Sequence, residues 1–315
     1  MKLAQLMAQY VTFRKSLGQG FESTEWRLRA FSRLVGESAD IRSVQPRQVA
    51  AFLAGRGPIT RNWHAKYGAL RGFFSYAVTR GYLSASPLPA TVPKQPARFV
   101  PHIYTMDQLR RLLNGTASYQ KQRILMEPHT FRTILLLLYG AALRVSEALS
   151  LNLAEADLDE AVVVIRDTKF YKSRLVPLGS DLNEVMTQYA ARRKSDGHSQ
   201  SENAPFFVTK FGARIPIGLL QLAFRRLRTQ TGVRREGGPR CQPRLHDLRH
   251  AAAVHRLTAW YREGNDVQRL LPLLSTYLGH VDIASTQLYL TMTPELLHEA
   301  SKRFAKYVFG EVSRD

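Results

Sequence analysis

The chain has 315 residues, of which 44% are hydrophobic, and its 45 lysines and arginines outnumber 25 acidic residues, for a formal charge of +20. This hydrophobic content can build folded cores and excludes a disordered basic tail. The positive surplus predicts nucleic acid as the partner, because phosphates release counterions when lysine and arginine neutralise them. An anionic membrane is less favoured, since no compact basic amphipathic helix dominates, and a merely solvated cationic surface is the other alternative.

The sequence predicts a cytoplasmic protein without membrane association. Cys241 is the only cysteine, so no internal disulfide can form, as is usual in a reducing compartment. Residues 1–18 are amphipathic and contain Arg14 and Lys15, unlike the uninterrupted apolar core of a signal peptide. The segment ILLLLYGAAL at 134–143 is too short to span a bilayer and is typical of a buried helix.

Residues 1–86 are predicted to form a small helical domain that binds DNA. Pro46 and Gly55 suit the start and the stop of one helix, and Thr60 and Gly81 suit the ends of the next. The second helix carries an apolar stripe at spacings of three and four, formed by Trp63, Tyr67, Leu70, Phe74 and Ala77. The DNA-binding candidates lie off that stripe and are Arg61, Lys66 and Arg71.

A linker is predicted at 87–101, where five prolines occur. Proline removes a backbone donor and disfavours helix in the residue before it. The linker divides the helical domain from residues 102–315, which we expect to form a second, larger domain.

The second domain is predicted to combine many helices with a small β-sheet, so the fold class is mainly α with a small sheet (α+β). Strands are expected at 161–165 and 174–178 around a hairpin tip, and another short strand at 204–209. Seven arginines and one acidic residue between 225 and 244 indicate a loop that binds the DNA backbone, with Arg225 and Arg226 as candidates. Helices are predicted at 105–113, 129–150, 181–193, 216–231, 246–262, 266–278 and 283–290.

Four separate segments of this domain carry groups suited to phosphate chemistry. Guanidiniums grip phosphate oxygens with fork geometry and stay charged, so that fixed cations can replace a metal ion. A tyrosine is only about one part in a thousand ionised at pH 7 and needs cations or an imidazole to become a nucleophile. The groups are the guanidiniums of Arg144 and Arg249, the ammonium of Lys169, the imidazoles of His246, His250 and His280, and the phenol of Tyr289.

These segments resemble, in order, the motifs of the tyrosine recombinase (phage-integrase-like) family. GAALRVSEALSL at 140–151 resembles the first arginine motif, and TKFYKSRLVPL at 168–178 resembles the β-hairpin lysine motif. LHDLRH at 245–250 resembles the H-x-x-R segment. LGHVDIASTQLYL at 278–290 resembles the L-G-H box, with the nucleophilic tyrosine nine residues after the histidine.

The resemblance implies a role for each matching residue. Tyr289 would attack the scissile phosphate, Lys169 would protonate the leaving oxygen, and His246 would act as general base or hydrogen-bond partner. Lys172 competes with Lys169 for the proton-donor role and is otherwise a DNA-binding candidate. Arg144, Arg249 and His280 would hold the phosphate, supported by Glu147 and by His250, for which a packing role is the alternative.

The resemblance also implies the architecture and the partners. A helical core-binding (SAM-like) domain and a catalytic domain would close on duplex DNA as a C-shaped clamp. Neither metal nor another cofactor is expected, and the reaction would pass through a 3′-phosphotyrosyl link. Four protomers would assemble on paired inverted-repeat sites, as in mobile genetic elements, while the free protein would be a monomer or weak oligomer. The amphipathic helix after residue 293 would dock on a neighbouring protomer, or alternatively on its own domain.

Three other functions use the same residues differently. A type IB topoisomerase shares the chemistry but relaxes DNA, and a catalytically silent DNA-binding protein would have little reason to keep every polar group. A zinc hydrolase would use His246 and His250, with Asp247 in the place of the H-E-x-x-H glutamate. That site would need a third ligand and would leave Arg144 and Tyr289 without a role. The residues between Arg249 and His280, which exceed the usual family spacing, are expected to form a surface extension.

Overall fold

The computed structural model describes residues 1–18, 20–55, 59–96, 99–118, 125–166, 173–280, 282–291 and 294–309. The chain divides into two compact units, residues 1–98 and residues 99–315. The predicted proline linker covers the boundary between them, and its described residues form no helix or strand. Among the described helices, none has both the length and the apolar character needed to cross a membrane.

The first unit is built from helices packed around an aromatic and aliphatic core. The predicted stripe is confirmed: Leu70, Phe74 and Ala77 are fully buried, and Trp63 and Tyr67 stack at 5.4 Å on its edge. The helices are α1 (Leu3–Ser16), α2 (Glu22–Val35), α3 (Pro46–Ala54) and α4 (Arg61–Thr79).

The basic residues proposed to bind DNA in this unit differ in their surroundings. Arg61 and Arg71 are exposed. Lys66 donates its Nζ to the carbonyl of Phe52 at 2.6 Å and lies 4.6 Å from the centre of that ring. Because this ammonium is engaged within its own domain, Lys66 is the weakest of the three DNA-binding candidates.

The second unit places helices around a three-stranded antiparallel sheet, which confirms the predicted fold class. The strands are β1 (Ala156–Asp157), β2 (Val162–Ile165) and β3 (Arg174–Pro177), in the order β1-β2-β3, with Ile165 opposite Arg174. The helices are α5 (Met106–Gly115), α6 (Pro128–Gly140), α7 (Val145–Ser150), α8 (Ser180–Ser195), α9 (Ile217–Gln230), α10 (Asp247–Arg262), α11 (Val267–Leu278), α12 (Ala284–Gln287) and α13 (Pro294–Phe309).

The predicted strand at 204–209 is wrong. Pro205 and Val208 take part in isolated β-bridges only. Phe206 and Phe207 are both 1% exposed, so two consecutive rings enter the core, whereas a strand sends successive side chains to opposite faces. The segment is therefore a buried loop.

The prediction of a single helix over 129–150 is also wrong, because the helix is interrupted after Gly140. Ala142 adopts φ of +51°, a left-handed conformation that a helix cannot contain. Helix α6 ends before this residue and α7 begins only at Val145. Arg144 therefore precedes a helix instead of lying within one.

The residues between Arg249 and His280 form no surface extension. They complete α10 and build α11, which buries Val267, Leu271 and Leu274 at a spacing of four and three. This spacing puts the three side chains on one helical face, and that face packs on a core that includes Tyr289.

Helix α13 packs against α10 of the same chain. Leu296 is fully buried in the core shared with Tyr289, and Glu295 accepts a hydrogen bond from Arg262 on α10. The structure thus corresponds to the alternative in which this helix covers its own domain. Exchange of α13 between protomers stays a prediction.

Candidate active site

Arg144 is held at the N-terminus of α7 by Glu147. The backbone N–H of Arg144 donates to Glu147 Oε2 at 2.9 Å, and Arg144 Nη1 donates to Oε1 at 2.6 Å. A third bond runs from Arg144 Nη2 to the carbonyl oxygen of Gly279 at 2.8 Å. A third of the Arg144 side chain stays exposed, so the guanidinium is fixed in direction and still accessible.

Glu147 is buried between two guanidiniums. In addition to the bonds from Arg144, Glu147 accepts two hydrogen bonds from Arg174. Nη1 of Arg174 donates to Oε1 at 3.0 Å, and Nη2 donates to Oε2 at 2.8 Å. Burial alone would raise the pKa of Glu147, but the hydrogen bonds and charges of Arg174 and Arg144 outweigh it and lower the pKa to about 2. The carboxylate is therefore ionised at neutral pH. Its supporting position was predicted, whereas the part of Arg174 was not.

Arg249 is buried on α10, with 2% of its surface exposed. Its Nη1 donates to the carbonyl oxygen of Ala142 at 2.7 Å, and its Nη2 donates to that of Leu278. Burial, followed by the charge of Arg144, lowers the pKa of Arg249 to about 10, so the side chain stays protonated at neutral pH. The interruption between α6 and α7 allows the backbone carbonyl of Ala142 to point towards the buried guanidinium of Arg249.

The turn after α11 joins the two arginines. Gly279 adopts φ of +65°, the left-handed conformation that ends a helix, and its carbonyl faces Arg144. The carbonyl of Leu278, one residue earlier, faces Arg249. Carbonyl oxygens at a helix C-terminus favour cations, so this turn sets the positions of both guanidiniums.

Tyr289 lies against this arginine pair within the same chain. Its phenol is 2% exposed, and its hydroxyl is 3.1 Å from His250 Nδ1. Burial raises the pKa of Tyr289, while the charge and hydrogen bond of Arg249 and the charge of Arg144 oppose that rise. The phenol is therefore neutral in this state and has an imidazole in place to accept its proton.

Three histidines of this site are in their neutral form, and two of them, His250 and His280, lie against the tyrosine. Burial lowers the pKa of His250 to about 3 and that of His280 to about 4, with added repulsion from neighbouring cationic groups. The His280 ring stacks on Tyr289 at 6.0 Å, and its Nδ1 lies 2.7 Å from Thr286 Oγ1. His246 lies at the mouth of the site, 4.8 Å from the His250 ring, and loss of hydration followed by the Arg249 charge lowers its pKa.

A cationic cavity of about 990 Å³ opens beside Arg144 and His246. Its wall includes Phe224 and Leu245, and the described residues that line it contribute no carboxylate. Five arginines face it, which suits a polyanion: Arg144, Arg225, Arg228, Arg234 and Arg244. Of the predicted DNA-binding pair, Arg225 lines the cavity, while Arg226 is exposed outside its lining.

The structure brings most of the predicted site residues together. Electrostatic interactions with Arg249 connect the other five, which are Arg144, His246, His250, His280 and Tyr289. Lys169 and Lys172 lie outside the described residues. Arg174 and Thr286 were not among the predicted site residues. An arginine at the start of a predicted strand does not by itself indicate a role in the site, since its partner Glu147 lies on a distant segment.

The zinc alternative finds little support in the donors present. In the described parts of the chain, no three His, Cys, Asp or Glu side chains are grouped so that they could hold a metal ion. Asp247 instead accepts hydrogen bonds from the backbone N–H and the Nη2 of Arg244, both at 2.9 Å. It therefore fixes the start of α10.

Comparison with known proteins gives the family. The phage integrase family model matches residues 104–295. The chain is 34% identical to the putative integrase/recombinase y4rB of Sinorhizobium fredii over 96% of both chains. It is 27% identical to the tyrosine recombinase XerC of Thermodesulfovibrio yellowstonii, over 83% of this chain and 84% of the relative.

Solved structures show the same fold. A lambda integrase dimer bound to a COC′ core site superposes with a TM-score of 0.66 at 15% identity, over 93% of this chain and 78% of that one. The Tn1549 transposon integrase in complex with transposon right end DNA gives 0.65 at 15% identity, over 98% and 100%. The clustered arginines, histidines and tyrosine, together with these matches, lead to one conclusion: the chain belongs to the phage integrase family of tyrosine recombinases, the site-specific DNA recombinases.

Proposed function

We propose that this recombinase cuts and rejoins duplex DNA with Tyr289 as its nucleophile. The phenol oxygen bonds to the scissile phosphorus, the bond from phosphorus to the 5′-oxygen breaks, and a 3′-phosphotyrosyl link and a free 5′-hydroxyl result. The observation that carries the proposal is the phenol of Tyr289, hydrogen-bonded to His250 and beside the guanidinium of Arg249. The reverse attack by a 5′-hydroxyl of another strand rejoins the DNA, so no external energy source is needed.

The two arginines would stabilise the negative charge that builds up on the non-bridging oxygens. Fixed guanidiniums act strongly in a partly buried site, because little water competes for the phosphate. Arg144 is a third exposed and lines the cationic cavity, whereas Arg249 is buried and would act on the phosphate from the interior side. His280, which stacks on Tyr289, would add a hydrogen bond to the same oxygens.

His250 is better placed than His246 to take the phenolic proton. The family resemblance implies that His246 is the general base or a hydrogen-bond partner and that His250 supports the site, yet the imidazole within hydrogen-bond distance of Tyr289 is that of His250. Its lowered pKa would rise when an anionic phosphate enters the site, because a nearby opposite charge favours the imidazolium. His246, at the cavity mouth, would then hydrogen-bond the phosphate.

Lys169 is proposed to protonate the leaving 5′-oxygen, with Lys172 as its competitor. A sulfur in place of that oxygen is a better leaving group and needs no proton. Lys169→Ala should therefore slow cleavage of ordinary DNA and spare the sulfur-containing substrate. Equal losses on both substrates would remove Lys169 from the acid role, and Lys172→Ala in the same pair of assays would show whether Lys172 takes it.

The partner proposed is double-stranded DNA with paired inverted-repeat sites, bound by both units of the chain. A lambda integrase tetramer bound to a Holliday junction has a TM-score of 0.66 to this chain, which supports the proposal of a homotetramer on DNA. The free protein would be a monomer or weak oligomer in the cytoplasm. Neither metal nor another cofactor is proposed.

A covalent-capture experiment tests this function without a known target sequence. Sheared DNA of the source genome is incubated with the protein, and fragments that stay bound after denaturation are sequenced. The recurring sequence is then built into a nicked duplex that cannot be religated. A covalent adduct with wild type that disappears with Tyr289→Phe supports the proposal. No adduct from folded wild-type protein would favour a silent DNA-binding protein.

A type IB topoisomerase would pass the adduct test, so the products must also be examined. Two synthetic duplexes that carry the captured site are mixed in equal amounts with the enzyme. Four-way junctions and swapped strands are expected from a recombinase. Relaxation of supercoiled DNA without either product would instead identify a topoisomerase.

A further inference from the structure

We infer that Arg174 is a positioning residue for the phosphate-binding arginine Arg144, acting through their shared carboxylate Glu147. The inference rests on the proposed function, because its effect is measured on DNA cleavage. It adds to the six predicted catalytic residues one that never touches the phosphate.

All three nitrogens of the Arg174 guanidinium are engaged. Two of them form the fork with Glu147, and Nε donates to the carbonyl oxygen of Tyr277 at 3.1 Å. The side chain is only 10% exposed, so it cannot bind DNA itself. Arg174 is the first residue of β3. Its side chain thus links this strand to the carboxylate beneath Arg144 and to the end of α11.

Charge balance explains why a second arginine is needed. Glu147 fixes the direction of Arg144 but also neutralises it, and a paired guanidinium attracts phosphate less strongly than a free one. Arg174 shares the same carboxylate, so the three side chains together carry one net positive charge. Without Arg174 the net charge would be zero, and Glu147 would face an incoming phosphate with only Arg144 to offset it.

The position of the catalytic turn depends on the same guanidinium. A Cβ built on Gly279 would lie 2.7 Å from Arg174 Nη1 and 2.9 Å from its Cζ, so the turn rests directly on Arg174. The next residue is His280, and the carbonyl of Gly279 accepts from Arg144. Arg174 therefore supports two groups that would surround the phosphate.

A purely structural role would give a different pattern of activity. If Arg174 only held β3 to α11, its loss would lower stability and impair cleavage of every substrate alike. If it maintains the charge of Arg144, its loss should matter most where the phosphate is charged. Removing the charge of Glu147 should then compensate for the loss of Arg174.

The test is a double-mutant cycle on the captured DNA site, with Arg174→Met, Glu147→Gln and the double variant. Adduct formation is followed in single turnover on two nicked duplexes, one normal and one with a neutral methylphosphonate at the scissile position. Arg214→Met is the matched control, because Arg214 also donates to backbone carbonyls, those of Leu149 and Leu151, without touching Glu147. Melting curves of each full-length variant show whether it is folded.

We expect Arg174→Met to slow cleavage of the normal duplex by about tenfold or more, the usual scale for a lost interaction with a charged transition state. The loss should shrink on the methylphosphonate, and the double variant should cleave the normal duplex faster than Arg174→Met. Arg214→Met should affect the two substrates equally. Equal losses of folded Arg174→Met on both substrates, or a double variant no better than Arg174→Met, would overturn the inference.

If Arg174→Met does not fold, Arg174→Lys keeps the charge and loses the fork. It should retain most of the rate on the normal duplex, and a full loss in folded protein would show that charge is not the reason. Absence of any adduct with wild type would instead count against the proposed function, so the two failures can be told apart.

Discussion

The conformation of Gly279 gives a quantitative prediction for Gly279→Ala. The residue has φ of +65°, and a left-handed conformation costs a residue with a Cβ about 1–2 kcal/mol. The new methyl group would also lie 2.7–3.1 Å from three atoms of the Arg174 guanidinium. That guanidinium cannot yield freely, because Glu147 and the carbonyl of Tyr277 hold it.

Moving Arg174 aside should break at least one hydrogen bond to a charged group, worth about 1.5–3 kcal/mol. With the backbone term added, the free energy of unfolding should fall by about 2.5–5 kcal/mol. The matched control is Gly264→Ala, in the turn between α10 and α11. Gly264 has φ of +76° with nothing within 4 Å of a built Cβ, so it should lose only the backbone term of about 1–2 kcal/mol.

Urea denaturation of the two full-length variants and wild type measures both losses. Gly279→Ala should lose about 2 kcal/mol more than Gly264→Ala, which is the contribution of the crowded guanidinium. Equal losses would refute the claim that Arg174 is rigidly held beneath the turn. Cleavage should also fall in Gly279→Ala, since the carbonyl that orients Arg144 belongs to this residue.

Three further predictions concern Tyr289, the proposed nucleophile, and the groups around it. Tyr289→Phe should abolish the covalent adduct and lower the free energy of unfolding by only about 1 kcal/mol, because one hydrogen bond to His250 is lost; a larger drop in urea denaturation would contradict this. The pKa of His250 is lowered to about 3 in the folded protein, from about 6.5 in the unfolded chain, so the unfolded chain binds the proton more readily. The contribution of neutral His250 to the free energy of unfolding is therefore complete above pH 6.5 and is lost as the pH falls towards 3. His250→Gln should flatten the pH dependence of stability between these values, and an unchanged profile would count against this prediction. Arg249→Lys cannot donate to both Ala142 and Leu278 with fork geometry, so adduct formation should fall by about a hundredfold or more at the same DNA concentration, and near wild-type rates would refute its role.

The sequence could predict the site where its residues lie in short motifs. Arg144, Arg249, His280 and Tyr289 fall in four segments whose order and spacing match a known family, and they lie together in the structure. The helices with clear apolar spacing were also predictable, as the buried face of α4 shows.

Local conformations and side-chain roles that depend on residues far away in the sequence could not be predicted. Ala142 has no glycine-like signal for its positive φ, and the break is understandable only once its carbonyl faces Arg249, a residue 107 positions later. The role of Arg174 is recognisable only from its hydrogen bonds to Glu147, 27 positions earlier. The composition around Phe206 and Phe207 is typical of a strand. Both rings are buried in the core, however, and the neighbouring Pro205 and Val208 form only isolated β-bridges.

The anchoring of Arg249 by the carbonyl of Leu278 has a consequence for substrate entry. If Arg249 binds the phosphate as proposed, a phosphate oxygen that accepts from its Nη2 would displace the carbonyl of Leu278 at the end of α11. Occupancy of the cleft and loosening of this segment then become two sides of one equilibrium, each favouring the other to the same extent. Tyr289, the proposed nucleophile, lies eleven residues beyond Leu278, so the binding of DNA would be coupled to the mobility of the segment that leads to it.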